Sequence, residues 1–155
     1  MITAVDTNVL LDILIPNAPH GDSSELALYQ ALGAGAVIVS EAVYAELAAH
    51  FPQRLELDGF LEGIGMRLES SGFEALHAAG RAWREYLGRR PVFLTCPSCG
   101  NAQDVVCSQC NTPLQPRQHV VADFLIGAHA SGHADRLLTR DRSYYRTYFP
   151  RLQLI

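Results

Sequence analysis

Short apolar runs alternate with helical periodicity along most of this chain. Ile2-Thr3-Ala4-Val5 has the length of a buried strand, and Asp6-Thr7-Asn8 supplies capping chemistry for a helix over residues 9–15 that Pro16 stops. Residues 19–24 read as a polar loop, and residues 25–32 as a second helix closed by Gly33 and Gly35. Ala36-Val37-Ile38-Val39 is the next strand, and Ser40 caps a helix that runs to about His50, before Phe51-Pro52. A helix is expected over residues 55–64 and a short strand over residues 66–69. The longest helix is expected over residues 73–87, its inner face set by Leu76, Ala79, Trp83 and Leu87. Residues 120–133 are helical again, 137–139 a strand, 143–149 a short helix and 152–155 a last strand. Strands alternating with helices imply an α/β fold with a parallel sheet, whose ligands sit beyond the carboxyl ends of the strands.

Four carboxylates stand out against this pattern. Asp6 ends the first strand, Glu46 lies in the helical stretch 41–50, Asp123 falls in the first turns of 120–133, and Asp141 follows Leu137-Leu138-Thr139. An unpaired charge within an apolar segment is costly, so acids gathered in one cleft call for a cation. Taken singly, each has an ordinary explanation: Asp6 and Asp141 as helix caps, Glu46 as a helix-surface acid. Asp12 reads as a solvated residue on a polar face. Asp123 points away from the core face expected from Val121, Phe124, Leu125 and Ala128, and the small residues Gly127 and Ala130 beside it leave room for a ligand. The ordinary explanations account poorly for all four acids together, and a divalent metal site is the better reading. His129 and His133 stand four residues apart but lack the companions of a metalloprotease motif, so both are expected to be packed or surface residues. His119 is read as a capping-region residue.

Composition narrows the class. A chain of 155 residues with 48% hydrophobic content suits one well-cored domain over residues 1–155, and no apolar run reaches membrane-spanning length. Met1-Ile2-Thr3-Ala4-Val5-Asp6 has no basic n-region, which points to the cytoplasm and away from a signal peptide or a membrane. The net charge of −4 hides an asymmetry, with residues 1–80 carrying −9 and residues 81–155 carrying +5. Every basic residue is an arginine, the side chain better suited to bidentate phosphate contacts, although a general bias toward Arg explains that equally well.

Residues 92–116 differ in kind, being rich in Cys, Pro, Ser, Asn and Gln, and read as a small insertion. They hold two Cys-x-x-Cys pairs, Cys96/Cys99 and Cys107/Cys110, the pattern of a tetrahedral thiolate site whose usual occupant is zinc. Gly100 and Asn111 follow the two pairs, where a metal knuckle turns through a left-handed conformation. A thioredoxin-like pair would need one such motif at a helix start, and a disulfide staple does not suit a reducing compartment. Four thiolates leave no open coordination position, so this zinc is expected to be structural.

The motifs also carry a family resemblance. Val5-Asp6-Thr7-Asn8-Val9-Leu10-Leu11-Asp12 closely resembles the opening of PIN-domain nucleases, VapC-type toxins above all. Val43-Tyr44-Ala45-Glu46-Leu47 resembles their second motif, and Val121-Ala122-Asp123-Phe124-Leu125-Ile126-Gly127-Ala128-His129-Ala130 the third. Leu138-Thr139-Arg140-Asp141-Arg142 and the stretch from Tyr144 to Pro150 resemble the fourth motif and the C-terminal end. The likeness spans the chain apart from about residues 92–116, a cysteine module that an ordinary VapC-type toxin lacks.

The resemblance implies a three-layer α/β/α fold with a central parallel sheet, and a ribonuclease site in which Asp6, Glu46, Asp123 and Asp141 bind Mg²⁺ or Mn²⁺. Thr7, Asn8 and Thr139 would order that site by hydrogen bonds. It further implies in-line hydrolysis of RNA leaving a 5′-phosphate, an antitoxin partner and a homodimer. Because the acids repel RNA, affinity would come from arginines: Arg117, Arg140, Arg142 and Arg146 near the acids, with Arg81, Arg84, Arg89 and Arg90 as further candidates. The inserted zinc module would form a rim on the cleft, its rival role being to brace a long loop. An alternative from another class is a non-catalytic zinc-ribbon adaptor that binds RNA or protein on the same scaffold, whose sign would be a missing acid.

Overall fold

In a computed structural model of the protein, residues 1–89, 94–96, 98–114 and 121–155 are described. Arg90, Arg117 and His119, named above as candidates, lie outside them. The strands Ile2–Val5 (β1), Ala36–Val39 (β2), Met66–Leu68 (β3), Arg136–Leu138 (β6) and Gln153–Leu154 (β7) form one five-stranded sheet in the order β3-β2-β1-β6-β7. Every pairing in it is parallel. Helices flank this sheet: Thr7–Leu14 (α1), Gly21–Ala34 (α2), Glu41–Ala48 (α3), Arg54–Ile64 (α4), Phe73–Arg89 (α5), Val121–His133 (α6) and Arg142–Tyr148 (α7). A separate antiparallel pair, Leu94–Thr95 (β4) with Ala102–Gln103 (β5), belongs to the cysteine segment.

The chain order explains where a site can form. From β1 the chain winds outward to β2 and β3, then returns past α5 and α6 to the other side of β1, where β6 and β7 are laid down. The reversal leaves a crevice at the carboxyl ends of β1 and β6, the switch point at which parallel sheets hold ligands. The pairing runs up to that edge, since Asp6 N–H donates to Leu138 O at 3.0 Å and Thr139 N–H to Ile155 O at 3.1 Å. Val37, Ile38 and Val39 in β2, and Leu137 and Leu138 in β6, are all buried, as expected of strands covered on both faces.

Several expectations need correction. The polar stretch 19–24 is mostly helix, because α2 begins at Gly21. On α5 the inner face is built from the small residues Ala75, Ala79 and Ala82, while Leu76 and Leu87 are exposed. Small side chains let α5 lie close against α6, whose own buried set spans Phe124, Ile126, Gly127, Ala128, His129 and Ala130. Helix α6 is therefore covered nearly all round; Val121 is exposed, and Asp123 is half-buried. Gly127 and Ala130 leave no room for a ligand either. The Phe149 ring fills the space over Gly127, and an alanine Cβ there would overlap three of its ring carbons.

His129 is packed as expected, 1% exposed, with Nε2 2.9 Å from Glu69 O and its ring stacked on His133 at 4.9 Å. Burial lowers its pKa. The pair ties α6 to the loop after β3, where Gly72 N–H meets His133 Nε2 at 3.5 Å. The close seating of Phe149 gives a direct test. Gly127→Ala should cost about 1–3 kcal/mol of stability through overpacking, read as a lowered denaturation midpoint; an unchanged midpoint would show that Phe149 is free to move.

Candidate metal and nuclease site

Asp6 occupies the N-cap position of α1, but its side chain makes no capping hydrogen bond. Instead Oδ2 accepts from Asn8 Nδ2 at 2.6 Å and from Thr139 Oγ1 at 2.6 Å. Thr139 is a junction, since its Oγ1 also accepts from Asn8 Nδ2 at 3.3 Å and from Asp141 N–H at 3.1 Å. Asp6 is only 4% exposed, and burial raises its pKa against the lowering effect of these bonds. Thr7 donates its hydroxyl to Glu46 Oε2, tying α1 to α3. Asp141 does act as a cap, its Oδ1 accepting from Tyr144 N–H at 3.4 Å and from Ser143 Oγ at 3.1 Å.

Asp123 brings the acids into one electrostatic site. Its pKa is raised to about 6, first by burial and then by the negative charges of Asp6, Glu46 and Asp141. Four elements far apart in sequence thus deliver carboxylates into mutual range at the sheet's switch point. Among the described residues, however, no group of three or more His, Cys, Asp or Glu side chains is set close enough to clasp a metal ion. The acids repel one another across the crevice, and their hard oxygen donors fit Mg²⁺ or Mn²⁺, which would draw them together.

A second network was not legible as such. Asp12 is buried, 7% exposed, which corrects its reading as a solvated acid. Its Oδ2 accepts from Ser24 Oγ at 2.7 Å and pairs with Arg140 Nε at 2.6 Å. Arg140 N–H donates to Asn8 Oδ1 at 3.2 Å, and Nη2 reaches Asn8 O at 3.5 Å. Arg140 is thereby committed to holding the loop after β6 against α1. Arg142 and Arg146 are exposed, and Arg142 lines a recess beside Thr139 with Arg140, His20 and Ser23. Arg89 pairs with Glu85 at 2.7 Å, while Arg81 and Arg84 are exposed. The signal the sequence held was an acid, Asp12, among the apolar residues Leu10, Leu11, Ile13 and Leu14 of α1.

The cysteine segment folds as two matched turns. Gly100 N–H donates to Cys96 O and Cys96 N–H to Asn101 O; Asn111 N–H donates to Cys107 O and Cys107 N–H to Thr112 O, all at 2.9 Å. Gly100 has φ 75° and Asn111 φ 58°, the left-handed positions expected of knuckles. All four cysteines are free thiols. Hydrogen bonds from the surrounding backbone lower the Cys96 pKa, and the Thr112 side chain lowers that of Cys110.

The fold is similar to that of several solved structures. VapBC2 of Rickettsia felis, bound to a DNA fragment from its promoter, matches with a TM-score of 0.59 and 18% identity, over 100% of this chain and 98% of that one. VapBC-1 from nontypeable Haemophilus influenzae matches with a TM-score of 0.59 and 18% identity, over 100% of this chain and 97% of that one. The fold matches that of PIN-domain VapC toxins. VapC20 of Mycobacterium tuberculosis, a sarcin-ricin loop cleaving toxin, matches with a TM-score of 0.53 and 14% identity, over 97% of this chain and 98% of that one. No family model and no curated protein matches the sequence.

Within this PIN fold the crowding of the acids has a measurable consequence. A carboxyl whose pKa rises on folding contributes stability below its unfolded value, and that contribution is lost as pH climbs through the folded value. For Asp123 the window runs from 3.8 to about 6. The shift corresponds to at most about 3 kcal/mol, which solvent screening at a half-buried site reduces to about 1 kcal/mol. Asp123→Asn should therefore stabilise the metal-free protein at pH 7 by about that amount and flatten its stability between pH 4 and 6. Chemical denaturation across pH checks this; a variant no more stable than wild type would remove the repulsion.

Proposed function

We propose that this protein is a divalent-metal-dependent endoribonuclease, the toxin of a toxin–antitoxin pair. One observation carries the reading: Asp123 sits in the combined field of Asp6, Glu46 and Asp141 at the switch point of a PIN-fold sheet. A scaffold that had kept only a binding role would have no reason to hold that repulsion. Asp6, Glu46, Asp123 and Asp141 would hold the cation, and Thr7, Asn8 and Thr139 fix the angles at which Asp6 and Glu46 present their oxygens. A bound Mg²⁺ or Mn²⁺ would polarise the scissile phosphate and supply a hydroxide-like water at neutral pH. The buried Asp6 cannot swing away, because two short hydrogen bonds hold one of its oxygens. Arg142 and Arg146 are free to meet RNA phosphates beside the cleft, with Arg140 steadying the loop that carries them.

The matched toxin structures support the partners in this reading. VapBC2 and VapBC-1 are solved as toxin–antitoxin complexes, and VapC20 cleaves the sarcin-ricin loop. For this chain we take RNA as substrate, an antitoxin and a second copy as partners, and the cytoplasm as its compartment. Among the described residues no helix is long and apolar enough to cross a membrane. The chain acts as one nuclease domain over residues 1–155, with residues 92–116 as an insertion. We assign structural zinc to Cys96, Cys99, Cys107 and Cys110, on the strength of the two matched turns and four free thiols.

Two experiments test these assignments. Wild type should cleave RNA in the presence of Mn²⁺, and Asp6→Asn and Asp123→Asn should each lose at least about 100-fold in rate, as expected when the charge that gathers the cation is removed. Equal activity in all three would overturn the mechanism. Elemental analysis should find one zinc per chain, lost in a Cys96→Ser/Cys99→Ser variant. A folded variant with altered RNA preference would place the module on the cleft rim, global unfolding would make it a brace, and absence of zinc in wild type would remove the site.

A further inference from the structure

Helix α7 places two consecutive tyrosines against the acids. Tyr145 is 1% exposed and Tyr144 partly buried, and both hydroxyl oxygens are out of solvent. Neither makes a hydrogen bond of normal geometry. A buried polar group without a partner is costly, so its position needs a reason. The Tyr145 hydroxyl approaches Asp6 without completing a bond and lies within electrostatic range of Asp123; that of Tyr144 lies within electrostatic range of Asp123 and Asp141. Packing fixes both rings, which stand at 89° to each other with centroids 5.6 Å apart, and Tyr144 meets Phe124 edge-on at 5.1 Å.

The acids lack donors in a particular place. Asp6 receives Asn8 and Thr139, Glu46 receives Thr7, and Asp141 receives Ser143 and the Tyr144 amide. Asp123 receives no hydrogen bond from the described residues. Ionised carboxylates only accept, and a phenol that keeps its proton is a donor. A tyrosine hydroxyl keeps its proton at neutral pH, so both phenols are available as donors.

We propose that Tyr145 and Tyr144 are positioning residues for the metal-gathering acids. With a cation drawing the carboxylates together, the Tyr145 hydroxyl donates toward Asp6 and Asp123, and the Tyr144 hydroxyl toward Asp123 and Asp141. Together they turn the carboxylate oxygens toward a divalent cation, which makes them outer-shell partners of the kind that tune metal affinity. The inference rests on the metal-dependent reading of the site and extends it to residues outside the acidic set.

The test uses the full, zinc-loaded chain. Mn²⁺ is titrated calorimetrically into wild type, Tyr145→Phe and Tyr144→Phe, and the Mn²⁺ concentration for half-maximal RNA cleavage is measured alongside. Each variant should bind Mn²⁺ about 10-fold more weakly, with half-saturation shifted in parallel, the rate at saturating Mn²⁺ largely recovered, and the metal-free melting temperature unchanged or raised. Should Tyr145→Phe not fold, Tyr144→Phe decides alone. Wild-type Mn²⁺ affinity in the variants would overturn the positioning role and leave the nuclease reading standing. A wild type that binds no Mn²⁺ would overturn both.

Discussion

Repulsion among carboxylates is the constraint around which this molecule is arranged. Asp6 sits at the end of β1, Asp141 just beyond β6, Glu46 on α3 and Asp123 on α6, where burial first and then the charges of the other three raise the Asp123 pKa to about 6. Left to themselves the side chains would spread apart. The parallel sheet prevents that for Asp6 and Asp141, because β1 and β6 are adjacent and their ends are locked by the amides of Asp6 and Thr139. Helix α6, buried almost all round, prevents it for Asp123. The fold thus holds an electrostatic cost that a cation can offset, and a cost of this kind clusters where function lies.

Much of the supporting structure converges on this crevice. Asn8 and Thr139 restrain Asp6 from two different elements, and Asn8 is itself fastened to Arg140, which Asp12 anchors from inside α1. Phe149 fills the notch at Gly127 and sets α7 against α6. That seating brings the aromatic residues of α7 over Phe124 and leaves the Tyr144 and Tyr145 hydroxyls buried in the field of the acids. Acids, anchors and packing form one continuous structure, so a change in the core at Gly127 and a change in the cleft at Asp123 act on the same assembly.

Much of the fold was legible in the sequence because parallel strands buried on both faces read as short apolar runs. Ala36-Val37-Ile38-Val39 matches β2 residue for residue. The places of the four acids, at strand ends and within apolar helices, were legible, and the proposed site is built on those places. What periodicity could not reveal was contact between elements. Asp12 looked solvated because its partner, Arg140, comes from the far end of the chain. Gly127 looked like space for a ligand because Phe149, which occupies that space, lies beyond β6. The inner face of α5 was misplaced for a related reason: close packing on α6 selects Ala75, Ala79 and Ala82, and hydrophobic size alone favours Leu76 and Leu87. The cysteine turns were legible in detail, since the left-handed positions at Gly100 and Asn111 are local properties of the chain.

The central claim is that these carboxylates form a single site for a hard divalent cation. Anomalous X-ray scattering from a crystal of the protein grown with Mn²⁺ tests it most directly. The account predicts a manganese peak enclosed by carboxylate oxygens of Asp6, Glu46, Asp123 and Asp141. A crystal at saturating Mn²⁺ with no peak in that crevice would contradict it.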